Sequence, residues 1–313
     1  MKHRKVIILG SGPAGCSAAI YAARSMLNPL MIHGSEPGGQ LTITTDVENY
    51  PGFTEAIQGP ALMQAMEGQA LRNGADIAHD TITEVDFDRK PFCLKGSQGD
   101  IYTCDSLIIA TGASAKWLGL KSELEYRGFG VSACATCDGF FFRNKKVCVV
   151  GGGNTAVEEA LYLAHMCSKV YLIHRRDELR AEKILQQRVL SNPKIEVIWN
   201  SQLQEIIGDK ENKIVKQALI QNTQNNEAKY INVEGVFIAI GHQPNSTLFK
   251  GILDMDEENY IITPPGKVTT NIKGVFAVGD VQDKIYRQAV TAAGTGCMAA
   301  LDCERYLTLE GLL

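Results

Sequence analysis

Three things are scarce in this chain of 313 residues. No apolar run approaches the roughly 18 residues that a membrane-spanning helix needs, so a spanning segment is not expected. Positive charge is not in excess: 31 Lys and Arg stand against 35 Asp and Glu, a net charge of −4. That argues against a non-specific nucleic-acid binder, which needs a basic surface to displace phosphate counterions. A second close cysteine pair, or a histidine cluster in register with the first, is also missing, which leaves zinc short of four ligands. The basic start Met1-Lys2-His3-Arg4-Lys5 resembles the head of a signal peptide. Only Val6-Ile7-Ile8-Leu9 follows before glycine, too short for an apolar h-region and right for a strand. Low-complexity tracts are absent, and the polar stretch Gln221 to Lys229 reads as an exposed turn between strands. A cytoplasmic location is expected, with neither nucleic acid nor membrane as a partner.

Glycine is abundant, 30 residues in all, where a share of about 7% is usual. The nine cysteines are an odd number. In a reducing compartment they should be mostly free thiols, so a close pair calls for a chemical explanation. The length suits two domains or one large one.

The glycines are placed in a repeated pattern. Val6-Ile7-Ile8-Leu9 runs into Gly10-Ser11-Gly12-Pro13-Ala14-Gly15 and a small-residue helix from Cys16 to Arg24. This strand–turn–helix context turns a weak G-x-G-x-x-G match into a dinucleotide fingerprint, with a pyrophosphate on the helix N-terminus. Lys146 to Val150 leads in the same way into Gly151-Gly152-Gly153-Asn154-Thr155-Ala156 and a helix from Val157 to Ala164. His33 ends the next strand 23 residues past Gly10, and His174 does so 23 residues past Gly151. Each copy closes on a strand and tight turn, Ala110-Thr111-Gly112 and then Gly241. A further buried strand ends at Gly279-Asp280, before a helix from Gln288 to Leu301. The pattern predicts an α/β protein of two Rossmann-like nucleotide-binding domains, one inserted into the other. Residues 1–113 with 243–313 form the first and 114–242 the second, joined by two crossings that act as a double hinge.

The two copies differ where a coenzyme's ribose would lie. The inserted one carries His174-Arg175-Arg176 and then Arg180, cations that suit the 2′-phosphate of NADPH. If the segment is helical, Arg176 and Arg180 are like charges at i,i+4, a cost that a bound anion would remove. The first copy has no such cluster, reading His33-Gly34-Ser35-Glu36-Pro37-Gly38-Gly39-Gln40. Two nicotinamide sites in one chain would exchange nothing, whereas one facing a flavin makes an electron path, so FAD is expected there. Glu36 is the candidate ribose acid, three residues later than a strict fingerprint places it. Asp280 would bind hydroxyls, and the last helix would point its positive end at the flavin ring.

Cys134-Ala135-Thr136-Cys137-Asp138 precedes the second fingerprint. Its spacing puts two sulfurs within bonding reach, and a helix start at Cys134 would depress that thiol's pKa. Zinc lacks ligands and a structural disulfide is disfavoured by compartment; a redox dithiol beside a flavin domain fits both facts. Asp138-Gly139 is an ordinary turn pair, and Asp138 is equally a general acid–base candidate beside a thiolate. Cys16, Cys93, Cys104, Cys148, Cys167, Cys297 and Cys303 carry no motif and read as small buried hydrophobes.

With these motifs in order, the chain resembles the low-molecular-weight, bacterial-type thioredoxin reductases along essentially its whole length. The matching segments are Gly10–Gly15, Gly38–Gln40, Glu48-Asn49-Tyr50-Pro51-Gly52, Ala110–Gly112, Cys134–Gly139, Gly151–Ala156, His174–Arg176 and Gly279-Asp280. The resemblance implies a homodimeric FAD enzyme that uses NADPH to reduce thioredoxin. It implies that Asn49, His33 to Gln40, and Asp280, Val281, Gln282, Asp283, Lys284, Ile285, Tyr286, Arg287, Gln288 and Ala289 line FAD. It implies further that Cys137 faces the flavin while Cys134 exchanges with the partner disulfide. Where the family often has a basic residue, this chain has Phe129. Docking would then rest on Phe129, Phe140 and Phe141, unless those rings pack in the core. The pair and the NADPH site share one domain, yet both must reach the flavin, which predicts a rotation of residues 114–242. A reductase for a ferredoxin or quinone needs no such cysteine pair. Peroxide-reducing relatives carry an extra N-terminal domain, for which a fingerprint at residue 10 leaves no room. A redox-sensing binding protein without turnover has no need of both fingerprints and the pair.

Overall fold

The computed structural model describes residues 2–44 and 46–313; Met1, the head of the basic start, lies outside them. Two compact units are formed, Met1–Ser114 with Gln243–Leu313, and Ala115–His242.

In the first unit Val6 to Leu9 are all buried, which makes the opening strand Lys2–Leu9 a central one. It lies between Leu30–Ile32 and Ile101–Ile109, both parallel to it. Asp76–Ala78 extends one side, and Val275–Ala277 pairs in parallel with Ile101–Ile109. An antiparallel extension, Phe92–Gly96 and Ile82–Asp86, completes a seven-stranded sheet. Alternation decides the faces. Val6 and Ile8 pack under the helices Pro13–Arg24 and Ala289–Leu309, whereas Ile7 and Leu9 join Phe92, Leu94, Phe249 and Ile261 on the other side. Both helices exceed the expected ranges, the first by starting at Pro13, whose fixed φ suits a first turn, and the last by running to Leu309.

Beside this sheet sits a buried carboxylate. Asp80 Oδ1 accepts from the Thr81 N–H (2.7 Å), the Ser97 N–H (3.1 Å) and the Ser97 hydroxyl (3.0 Å). Its Oδ2 accepts from the Tyr102 hydroxyl at 3.0 Å.

The second unit repeats the scheme. Val131–Ser132, Gly235–Ile238, Lys146–Val150, Lys169–Ile173 and Ile195–Ile198 form a five-stranded, wholly parallel sheet in that order. Val147 and Val149 face the fingerprint helix Asn154–Met166, and Cys148 and Val150 face the opposite cluster. That second face is closed by an antiparallel meander, of which the sequence pattern announces only one turn: Ser201–Asp209, Ile214–Asn222 and Ala228–Asn232. The polar stretch after Gln221 is its turn.

The two crossings run side by side as short paired strands, Ala113–Ala115 and His242–Pro244. Just beyond them Asn245 acts as a staple. Its amide donates to the Thr111 carbonyl (2.9 Å), its N–H to the Gly112 carbonyl (2.9 Å), and its own carbonyl accepts from the Thr111 hydroxyl (2.7 Å).

Candidate functional site

The first glycine turn is built for close approach. Gly10 has φ +104°, and a Cβ there would collide with the Ala110 carbonyl; one on Gly15 would collide with the Gly10 carbonyl. At Gly12 nothing lies within 4 Å, so the turn is tight beneath and open above. The Gly38 N–H donates to the Ser11 hydroxyl at 2.9 Å, bringing the Gly38-Gly39 turn to the fingerprint. Ala14 and Pro13 begin the helix, and the Gly279 N–H donates to the Thr295 hydroxyl at 2.9 Å. Asp280 follows in a short 3-10 turn, its carboxyl pushed up to about 7 by burial and by Asp283, against the pull of Arg287.

The other expected cofactor residues spread around this turn. His33 is buried, with Nδ1 at 2.9 Å from His79 and Nε2 at 2.9 Å from a Glu67 carboxylate oxygen. Ser35, Glu36 and Pro37 are exposed, with Glu36 accepting from Gln40 at 3.3 Å. Asn49 reaches Gln288 at 3.4 Å. Val281 is buried and Gln282 accepts from Thr263, while Lys284, Ile285 and Tyr286 are exposed. Asp283 shapes their loop by accepting from the N–H groups of Ile285, Tyr286 and Arg287.

In the second unit Gly151 has φ +155°, a Cβ on it would strike the Ala239 carbonyl, and Gly153 is open to 4 Å. Asn154, Thr155 and Ala156 start the helix. Arg175, Arg176 and Arg180 are exposed, and among the described residues none of their guanidinium groups is in an ion pair. The segment is not helical, which corrects the i,i+4 spacing assumed for Arg176 and Arg180. The Arg180 N–H donates instead to the Gly152 carbonyl at 2.7 Å and holds an open loop.

Cys134 and Cys137 are disulfide-bonded, with Cα atoms 5.3 Å apart. Cys134 caps a single helical turn, Ala135–Asp138, and its sulfur accepts from the Cys137 N–H at 3.2 Å. The Thr136 hydroxyl lies at 3.3 Å from the same sulfur. Ser132, which the sequence motifs pass over, accepts from the Cys134 N–H at 3.0 Å. Two residues before a cysteine, it has the spacing of a local serine turn, a signal that could have been read. Burial pushes the Asp138 carboxyl above its ordinary range, and a hydrogen bond from Ser132 partly opposes that. A Cβ on Gly139 would meet Leu163 at 3.0 Å and Met166 at 3.3 Å, so the pair sits against the fingerprint helix.

Phe129, Phe140 and Phe141 are 43%, 60% and 36% exposed, which excludes core packing; Phe142 fills that role, edge-on to Phe237. The Lys213 ammonium stands 4.3 Å from the Phe129 ring centre. Of the seven other cysteines five are buried, and burial raises the Cys16 thiol to about 12. Cys93 and Cys297 depart from the expectation in being half-buried.

No helix among the described residues is long and apolar enough to cross a membrane, and no cluster of side chains there could hold a metal ion. The profile of the pyridine nucleotide-disulphide oxidoreductase family matches residues 4–296. A thioredoxin reductase of Rickettsia felis is 60% identical over 303 residues, 97% of this chain and 98% of that protein. The solved thioredoxin reductase of Streptococcus pyogenes is 40% identical and matches at a TM-score of 0.93, over 98% of this chain and 99% of that one. The Lactococcus lactis thioredoxin reductase in its FR conformation has the same identity and coverage but a TM-score of 0.64.

Proposed function

The chain belongs to the pyridine nucleotide-disulphide oxidoreductases, among the thioredoxin reductases, and from that membership we propose that it reduces the disulfide of thioredoxin at the expense of NADPH. FAD occupies the unit of residues 1–114 and 243–313, NADPH that of 115–242, and the enzyme works as a cytoplasmic homodimer. One observation carries this more than any other. The Cys134–Cys137 bridge stands at the mouth of a short helix, with Asp138 beside it and three exposed aromatic rings near it in sequence.

The two glycine turns fit the groups assigned to them. Each is closed beneath by a carbonyl that a Cβ would strike and open at its middle or last glycine, as an approaching pyrophosphate requires. Ser11, the Gly38-Gly39 turn and Asp280 would hold FAD; Asn154, Thr155 and the three arginines would hold NADPH. A bound flavin supplies the two-electron exchange between nicotinamide and disulfide.

The dithiol chemistry belongs to the chain. With the pair reduced, the Cys134 thiolate attacks the partner's disulfide, forming a mixed disulfide and expelling one partner thiolate. Cys137 then attacks the Cys134 sulfur, expels the second partner thiolate and closes the Cys134–Cys137 bond. Asp138 manages the proton that Cys137 gives up. Phe129, Phe140 and Phe141 offer the partner an apolar surface, and Lys213 adds charge next to it. Because the dithiol must meet both a flavin and a protein, residues 115–242 rotate about the paired crossings.

Oxidation of NADPH by the purified protein, with and without oxidised thioredoxin, tests the reaction. Rapid consumption is expected only when thioredoxin is present. In Cys134→Ser, thioredoxin reduction should stop while NADPH still bleaches the flavin; retained turnover would remove the role given to Cys134.

A further inference from the structure

We propose that His174 is a positioning residue that locks the second glycine turn to the arginine loop, so that the pyrophosphate cradle and the 2′-phosphate cations form one rigid piece. This rests on NADPH binding to that unit. The sequence places His174 among the coenzyme-lining residues; its surroundings show a different task.

The backbone of His174 is committed to its own unit, its N–H to the Ile198 carbonyl at 3.0 Å and its carbonyl to the Ser201 N–H at 2.9 Å. The ring is buried, only 5% exposed, and turns inward. Its Nδ1 lies 3.0 Å from the Gly151 carbonyl. A carbonyl only accepts, so Nδ1 carries the proton. A Cβ on Gly152 would overlap the imidazole, so the ring lies flush against the turn and requires glycine there. His174 itself opens the arginine loop, directly before Arg175, and the Glu178 carbonyl of that loop would accept only from a protonated ring. The loop's second tie to the same turn is the Arg180 N–H on the Gly152 carbonyl, at 2.7 Å. The imidazole at the start of the loop and this backbone bond near its end thus tie the loop to the turn at two points.

Burial holds the ring's pKa below its ordinary value and the Arg180 and Arg176 charges add to that, while the two carbonyls oppose it. The ring is therefore neutral near neutral pH and brings no cation of its own to a phosphate. What it supplies is distance. A pyrophosphate and a 2′-phosphate are held at a fixed separation by the nucleotide, and cations displaced by an ångström lose much of a bidentate contact.

The experiment is equilibrium binding of NADP+ and of NAD+ to the flavin-loaded enzyme by calorimetry, which needs no turnover. Wild type should favour NADP+ by at least tenfold. Its failure to do so would remove the NADPH assignment, and the role of His174 with it. Given that preference, His174→Ala should weaken NADP+ binding about tenfold or more and NAD+ binding much less, narrowing the preference. His174→Asn, whose amide can still donate to the Gly151 carbonyl, should recover most of it. Gly152→Ala, which expels the ring by adding a methyl, should reproduce the loss independently. Thermal unfolding of each variant, followed by circular dichroism, serves as the check that the unit of residues 115–242 is folded. An unchanged preference in both His174→Ala and Gly152→Ala overturns the proposal, as does an equal loss for the two nucleotides.

Discussion

Asp138 and Asp80 are two carboxylates pushed in opposite directions, and the signs lead to opposite consequences. Burial raises Asp138, with Ser132 opposing. Its neutral form is the favoured one in the folded chain, so its contribution to stability is present below the unfolded pKa and lost as pH rises through the folded one. Asp138→Asn should accordingly raise the melting temperature at pH 8 while cutting thioredoxin-dependent kcat on the order of 100-fold, the usual reach of a general acid–base. Paired melting and turnover measurements check this, and a loss of both would sink the acid–base role. For Asp80, burial also pushes upward, but the hydrogen bonds from Thr81, Tyr102 and Ser97 win and the pKa is lowered. Its stabilisation is present above the unfolded pKa and disappears as pH falls through the folded one. Asp80→Ala should cost about 2–3 kcal/mol at neutral pH, because it strands buried donors, and urea unfolding should show the deficit vanish in acid. The cysteine pair and the fingerprint glycines are legible because spacing alone dictates what they can do. Asp80 and the inward role of His174 are not, since their partners Ser97, Tyr102 and Gly151 come to them only in the folded chain.

The elements differ in the same way. The fingerprint helices follow from small residues after a glycine turn, and their strands from runs of buried apolar residues. The spacing of the arginines suits a helix and a loop equally well, and the Arg180 bond to Gly152 belongs to a loop. Of the meander from Ser201 to Asn232 only the turn after Gln221 is legible, since Gln and Lys side chains interrupt the apolar rhythm of its strands. The contact between Pro13–Arg24 and Ala289–Leu309 has a similar lesson in Gly296, which no motif includes. A Cβ there would strike the Ala14 carbonyl, so the last helix touches the first backbone to backbone. Gly296→Ala should force the two helices apart at about 1–3 kcal/mol, the range for overpacking. Thermal denaturation should register it, together with faster release of flavin; unchanged flavin retention would separate this contact from the fingerprint.

For the molecule as a whole, two matched repeats with 23-residue spacing make the double nucleotide fold legible before any coordinates. The rotation is the part that spacing only implies, from a cysteine pair and a coenzyme site that must both reach one flavin while the pair also meets a protein. The paired crossings beside the Asn245 staple are the peptide units that the proposed rotation would have to bend. A reversible cross-link between the units should abolish thioredoxin reduction, and cleaving it should restore activity. Full activity in the linked form would refute the rotation.

The strand Val275–Ala277 bears on how such a chain is made. It pairs with Ile101–Ile109 in the first unit, yet leaves the ribosome after the whole of residues 115–242. The inserted unit has all its strands in hand while its host still lacks one strand and the last helix. At the usual synthesis rates the host waits for about 160 residues, roughly 8 to 32 seconds, with the Ile108 face of its sheet covered by the first helix but not by the last. During synthesis the unit encoded first is thus the last to close, and a chain broken off before residue 275 would leave a finished coenzyme unit tethered to an unfinished one.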